Sequence, residues 1–430
     1  MDIFDLLNRV FFGSGLTIAV FLCGTVLFLK LGRCMKPKML ISALKKSGGD
    51  ISPARAMCIA LAGTLGVGNI SGVASAIAIG GAGAVFWMWI SSLFAMFIKY
   101  AETVLALGHR RLSNGRHGGA YFYMSDMGAK GSARLFALLC LASSLMLGSS
   151  IQSNSAAVCI ESLFGTDRAV IGIFLCIAVF LMISGGLRRI ADFVSVAIPV
   201  ISIFYILMSL YIIISNIGIL PKIISEIFEA ALGKRAFGGG ILGFITSRAV
   251  SLGVTRGIVS NEAGCGTAPI AHSSSASTEP VVQGIFGMLE VFIDTGVLCS
   301  MTALSVLIAK EKGIALSSDG MATALAAFEA FIPFSGIFMT VTVTVFVFAT
   351  ILCWFYYGSE CLYFLCGRGI KAYRYIYSAA VLLGAALPTE GLWGVSDLVV
   401  SLMTALNIFY IMEGLPELWR ETDRYFQNNS

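Results

Sequence analysis

Residues 58–100 read CIALAGTLGVGNISGVASAIAIGGAGAVFWMWISSLFAMFIKY. The stretch is apolar and long enough to cross a bilayer, yet it is broken in its middle. Gly63, Gly66, Gly68 and Gly72 crowd around Asn69, and Gly80, Gly81 and Gly83 make a second break. Each interior glycine weakens a helix by about 0.5–1 kcal/mol relative to alanine, so the cluster predicts an unwound midpoint. Unwound backbone at membrane depth is tolerated only against protein or a water-filled cavity. The first half, about 51–66, ends in carbonyls of partial negative charge, which suit a cation. The second half begins near Gly68, Asn69 and Ile70, where free amides suit a carboxylate. The same glycines also fit a seam for close helix packing. Asn69 inside the cluster, whose amide can donate or accept, favours a binding site at Gly66, Gly68, Asn69, Ile70 and Gly72. A nucleotide loop is excluded, because no Lys-Ser/Thr follows and no strand precedes.

The rest of the composition agrees with a membrane setting. Of 430 residues, 57% are hydrophobic and 12% charged, with a mean hydropathy of +0.88. Soluble proteins carry roughly 25% charged residues. Repeated apolar runs of about 20 residues are the mark of a polytopic membrane protein. The net charge of +5 comes with no aromatic-interleaved basic patch, so nucleic acid is not an expected partner. The eleven cysteines lie singly and only three histidines exist. Neither a disulfide framework nor a metal site is expected from that pattern, and no clustered nucleophile and base suggests an enzyme.

Taken in order, helix 1 covers about 10–31 and lacks the short apolar core and cleavage site of a signal peptide. Lys30, Arg33, Lys36, Lys38, Lys45, Lys46 and Arg55 follow it, a loop that the positive-inside rule assigns to the cytoplasm. Spans are then expected at about 51–80, 82–108, 133–162, 168–187 and 190–216, with an amphipathic surface stretch over 221–237. The plan repeats at 238–261, 281–309, 334–365, 375–389 and 391–413, with a short helix near 320–331. The second set also opens with a glycine-interrupted helix, through Gly253 and Gly257, followed by SNEAGCGTAPIAHSSSAST as an inside loop. The two sets enter from opposite sides. Paired broken helices in inverted halves point to a transporter binding site.

The expected architecture is therefore all-α: eleven spans, a leucine-transporter-like five-plus-five inverted repeat after one extra helix. Its parts are the extra helix and basic loop (1–50), the first repeat (51–217), the surface stretch (218–237), the second repeat (238–415) and a cytoplasmic tail (416–430). The N-terminus is expected outside, in a plasma-membrane protein with no obligatory protein partner.

A family resemblance rests on six blocks in order. GTLGVGNISGVASAIAIGGAGAVFWMWISSLFAMFIKYAETVLALGHR (63–110) is similar to the signature of the alanine or glycine:cation symporter family. QSNSAA (152–157), GGLRRIA (185–191), GVTRGIVSNEAGCGTAPIAH (253–272), QGIFGMLEVFIDTGVLCSMTAL (283–304) and ATILCWFYYGSEC (349–361) also resemble it. The resemblance implies sodium- or proton-coupled uptake of small neutral amino acids such as alanine and glycine, with the ion as co-substrate and no cofactor. It further implies a sodium site formed by the carbonyls of Ala62 and Leu65 and the hydroxyl of Thr350, and it places Gln152 at the substrate. One position departs: Ala349 stands where the family carries a second hydroxyl. Hard cations prefer a full set of oxygens, so proton coupling or an uncoupled exchanger stays open as an alternative.

Other polar and aromatic residues complete the expectations. Trp354 is expected to close over a small apolar side chain, with Tyr356 and Tyr357 in an interfacial aromatic belt. Asn154 either bridges helices or faces a cavity. Ionisable residues within spans are costly and functional by default. Arg248 is expected to pair with Asp294, Glu102 with Lys99, and Glu262 with Arg256, while Glu290 and Asp294 share one helix face.

Overall fold

The computed structural model describes residues 15–32, 49–112, 115–232, 248–317 and 319–428. Helix α1, Leu16–Leu31, is followed by a helix that is broken. Its first half, α2 (Pro53–Thr64), starts cleanly because the Ser52 side chain accepts from the Arg55 amide and Pro53 occupies the first turn. It stops at Leu65 and Gly66, whose backbone is not helical. A single turn, Val67–Asn69, leads to α3, Ser71–Gly80. The two halves are bent by 69°. Gly81, at φ +76°, then turns the chain into α4, Gly83–Gly108.

The bundle continues with α5 (Ala120–Asp126), α6 (Lys130–Phe164), α7 (Arg168–Ser184) and α8 (Gly186–Ser215). An amphipathic helix, α9 (Leu220–Leu232), occupies the expected surface stretch, of which 233–237 lies outside the described residues. The second half holds α10 (Arg248–Asn261), α11 (Ala268–Ser273), α12 (Pro280–Glu311), α13 (Gly320–Glu329) and α14 (Ser335–Cys366). It closes with α15 (Ile370–Ala386), α16 (Glu390–Glu413) and α17 (Leu415–Asn428). The segment 416–430, expected as a tail, is thus helical through Asn428, and its buried Thr422 meets the Tyr100 hydroxyl of α4 at 2.9 Å.

Among the described residues six helices are long and apolar enough to cross a membrane, seven if the bent pair α2–α3 is counted as one span. α1 and α7 are shorter apolar helices. The expected count of eleven spans is not reached by length and composition among the described residues. The first part of the expected seventh span, 238–247, lies outside them.

The second break sits elsewhere than expected. Gly253 and Gly257 lie inside the continuous helix α10. A Cβ on Gly253 would overlap the Ala84 carbonyl, and one on Gly257 would come within 2.6 Å of Ser91 Oγ. These two glycines form the seam between α10 and α4, where packing outweighs the helix penalty. The chain unwinds after Asn261 instead. Glu262, Gly264 and Gly266 all take left-handed φ values, 51°, 81° and 80°, which no α-helix can contain. This segment, read as an inside loop, is buried in the bundle.

Candidate functional site

The two breaks face one another across a cavity of about 280 Å³, far larger than the ~10–15 Å³ that holds a single water. Gly66, Gly68 and Gly72 line it from the first break, Gln152 from α6 and Trp354 from α14. Gly66 lets the Gln152 amide reach the backbone, since a Cβ there would meet Gln152 Oε1 at 2.9 Å. That oxygen is buried and has no partner. Trp354 Nε1 donates to the Gly63 carbonyl at 3.3 Å, so the indole is fixed to the end of α2.

Two of the expected site residues turn elsewhere. Asn69 and Ile70 are buried and do not line the cavity. Asn69 Nδ2 donates to Asp294 Oδ1 at 2.7 Å. Tyr356 and Tyr357 form no interfacial belt: both are buried, and Tyr357 packs against Gly63. Asn154 bridges helices, donating to the carbonyls of Gly384 (3.1 Å) and Leu387 (3.0 Å).

The oxygens named for a cation do gather. Thr350 Oγ1 lies 2.9 Å from the Ala62 carbonyl oxygen and 3.4 Å from that of Leu65. It is also 3.0 Å from the Phe346 carbonyl in its own helix, the usual partner of a threonine in a membrane helix. Ala349 is fully buried beside it, and Thr342 is engaged with Phe338 at 2.8 Å.

The charged lining comes from α10 and its broken end. Arg256 and Glu262 both face the cavity, with Val259 between them. The ion pair expected between the two charges is not formed. Glu262 Oε2 accepts from Thr267 Oγ1 at 2.5 Å. In the sequence Arg256 and Glu262 were legible only as a pair, and Val259 carried no signal. Trp393 and Asp319, which complete the wall, come from distant segments and carried no signal in the sequence.

The expected pair of Asp294 with Arg248 lies outside the described residues, because the Arg248 side chain does. Asp294 accepts from Asn69, from Ser260 Oγ (2.8 Å) and from Thr295 Oγ1 (2.8 Å). The Lys99–Glu102 pair is present, with Nζ 3.6 Å from Glu102 Oε1, and is more extensive than expected. Lys99 also stands 3.5 Å from Glu290, which takes His272 Nε2 at 2.8 Å. Gln283 Nε2 lies 2.7 Å from His272 Nδ1, so the ring accepts there and donates to Glu290. All four charged or titratable side chains are fully buried. Glu102 Oε2 further accepts from Asn407 (2.7 Å) and from the Gly266 amide (3.2 Å), tying the second break to α4 and α16. Among the described residues no group of His, Cys, Asp or Glu is placed to hold a transition metal.

The cavity lies between two discontinuous helices, and the chain as a whole is similar to known proteins. The chain is 35% identical to the sodium/alanine symporter AgcS of Methanococcus maripaludis over 96% of this chain and 95% of that protein. It is 36% identical to an uncharacterized transporter of Haemophilus influenzae, covering 99% and 96% of the two chains. It is 34% identical to the probable sodium/glutamine symporter GlnT of Bacillus subtilis, over 86% and 77%. The crystal structure of MhsT in complex with L-phenylalanine superposes with a TM-score of 0.63, 11% identity, and 86% and 91% coverage, a shared leucine-transporter-type fold. Residues 2–430 match the model of one transporter family, and the chain belongs to that family, the sodium:alanine symporters.

Proposed function

We propose that the chain is a sodium-coupled symporter of small neutral amino acids, alanine and glycine, working by alternating access. The observation that carries this reading is the cavity itself. Its walls offer helix-break backbone, one cation (Arg256), two carboxylates (Glu262 and Asp319) and two indoles. A zwitterion needs both charges met, and here Arg256 can face its carboxylate and Glu262 its ammonium. The first amides after the break have no preceding turn to bond and add to the carboxylate side. Trp354 and Trp393 then leave room for only a short side chain.

Sodium sits, in this reading, on the Ala62 and Leu65 carbonyls with the Thr350 hydroxyl, directly behind the same break. The two halves, 51–217 and 238–415, move against one another around the ion and the zwitterion. Relatives named for alanine and for glutamine support amino-acid transport and leave the side chain to this cavity. Ala349, which supplies no oxygen, favours proton-coupled or uncoupled transport as the second reading.

Uptake of radiolabelled alanine into proteoliposomes tests the proposal. Accumulation above equilibrium under an inward sodium gradient, and none under a proton gradient, is the expected result. Simple equilibration under both gradients would favour the uncoupled reading.

A further inference from the structure

We propose that the buried cluster of Lys99, Glu102, Glu290 and His272 is a proton-binding site that latches the second break to the start of α2. None of the four lines the solute cavity, and the inference goes beyond the symport reading. Lys99 and Glu102 lie one turn apart on α4, Glu290 stands on α12 and His272 on α11, and all four are fully buried.

The charges of the cluster do not balance. Gln283 Nε2 donates both to the Pro53 carbonyl (3.2 Å) and to His272 Nδ1 (2.7 Å). Turning that amide over would set its oxygen against the Pro53 carbonyl, so Nδ1 is held as an acceptor and the imidazole is neutral. Lys99 is then the one cation facing two carboxylates, 3.6 Å from Glu102 Oε1 and 3.5 Å from Glu290 Oε1. The other groups acting on the cluster among the described residues are Glu262 and Cys265 of the second break, Cys23 of α1, Tyr123 of α5, Asp294 of α12 and Tyr357 of α14. None of them is basic. Arg248 lies beyond Gly253, which packs on Ala84 at the other end of α4, about 22 Å along that helix from Lys99. A net negative charge enclosed in a dry interior is among the costliest arrangements in a protein. One bound proton removes it.

A second, independent observation shows where the proton goes. Glu102 Oε1, Glu290 Oε1 and Lys99 Nζ are all buried without a hydrogen-bond partner. Both Oε2 atoms are taken: that of Glu102 by Asn407 Nδ2 (2.7 Å) and the Gly266 amide (3.2 Å), that of Glu290 by His272 Nε2 (2.8 Å). The two Oε1 atoms are thus the ones open to a proton. Protonating either gives a neutral acid and leaves the other carboxylate to be balanced by Lys99.

The connections give that proton work to do. Through His272 and Gln283 the cluster holds the Pro53 carbonyl, in the first turn of α2. Through Glu102 it holds the Gly266 amide, and Asn407 Nδ2 also donates to the Gly264 carbonyl at 2.9 Å. Loss of the proton leaves a charge that only water can solvate, and water enters when these segments part. Proton binding therefore favours the closed arrangement seen here.

Infrared difference spectroscopy of the purified full chain reads the proton directly, as the deuterium-sensitive carbonyl band of a buried carboxylic acid. The expected result is such a band in wild type and its loss in both Glu102→Gln and Glu290→Gln, because either amide leaves Lys99 a single carboxylate to balance. No band in wild type, or loss in only one variant or in neither, overturns the site; a band kept in both belongs to another buried acid such as Glu262 or Asp294. Amide exchange over 262–272, corrected for its intrinsic pH dependence, reads the latch. It is expected to rise several-fold with pH in wild type and to stay flat in Glu290→Gln, which has no proton to lose. An equal rise in both overturns the latch. If one variant fails to insert, band and exchange are read in the other. Neither measurement needs transport, so these failures leave the symport reading intact, and a wild-type chain that carries no alanine overturns that reading and not this one.

Discussion

Glu262 is held at φ 51°, a conformation that costs a non-glycine residue on the order of 1–3 kcal/mol. A glycine there would remove the strain, so the carboxylate is retained for what it faces: Thr267 on one side and the cavity on the other. Glu262→Gly is therefore expected to leave thermal stability unchanged or raise it by about 1 kcal/mol while abolishing alanine uptake. A fall in both stability and uptake would mark the side chain as structural, and detergent melting curves beside uptake assays separate the cases. The neighbouring question at Thr350 turns on one missing oxygen. Ala349→Ser is expected to lower the half-saturating sodium concentration several-fold, and an unchanged sodium activation curve would remove Thr350 from the ion's path. Ala62, Leu65 and Thr350 were legible only through the family resemblance, because contacts between residues so far apart leave no local pattern. Trp393 and Asp319 were not legible at all, for the same physical reason.

The elements show why glycine alone does not announce a broken helix. In residues 63–72 the glycines are dense, and α2 and α3 do part there. In α10, Gly253 and Gly257 were read as a break, but each spares a clash with α4 and the helix runs on. What distinguishes the real interruption is alternation of left-handed residues at 262, 264 and 266, and a glutamate in that conformation has no sequence signature. The distinction is measurable. Gly253→Ala, whose Cβ would overlap the Ala84 carbonyl, is expected to cost about 1–3 kcal/mol of stability. Gly68→Ala has Ser260 Cα as its nearest neighbour at 3.8 Å and is expected to fold as wild type, with any loss confined to uptake. Equal melting temperatures for both variants would contradict the seam. The buried Lys99 cluster works at the same scale, joining α4, α12 and, through Glu102, the second break. Lys99→Met leaves the remaining charge on Glu102 and Glu290 uncompensated, a change that typically costs about 3–5 kcal/mol, and a melting temperature near wild type would show that both carboxylates carry protons.

At the scale of the whole molecule, the proposed symport has ion and amino acid share a single set of parts. The carbonyl end of α2, the Asn69 turn and Glu262 belong to the two breaks, and Arg256 stands on the helix that runs into the second, so on this proposal whatever orders the breaks for one solute orders them for the other. Linkage then requires reciprocity: if sodium tightens alanine binding by some factor, alanine must tighten sodium binding by the same factor. Ligand-induced stabilisation offers the measurement, because a solute at about a hundred times its dissociation constant stabilises the folded state by about 2.7 kcal/mol. Alanine and glycine are expected to raise the melting temperature in sodium and far less in potassium, and the apparent sodium affinity is expected to shift equally when alanine is present. Glutamine and leucine are expected to do little, since the proposal has Trp354 and Trp393, which line the cavity, limit the side chain. Stabilisation by glutamine equal to that by alanine would relocate the specificity away from those indoles. Alanine stabilisation indifferent to sodium would break the coupling itself, because no shared element would then be responding to both solutes.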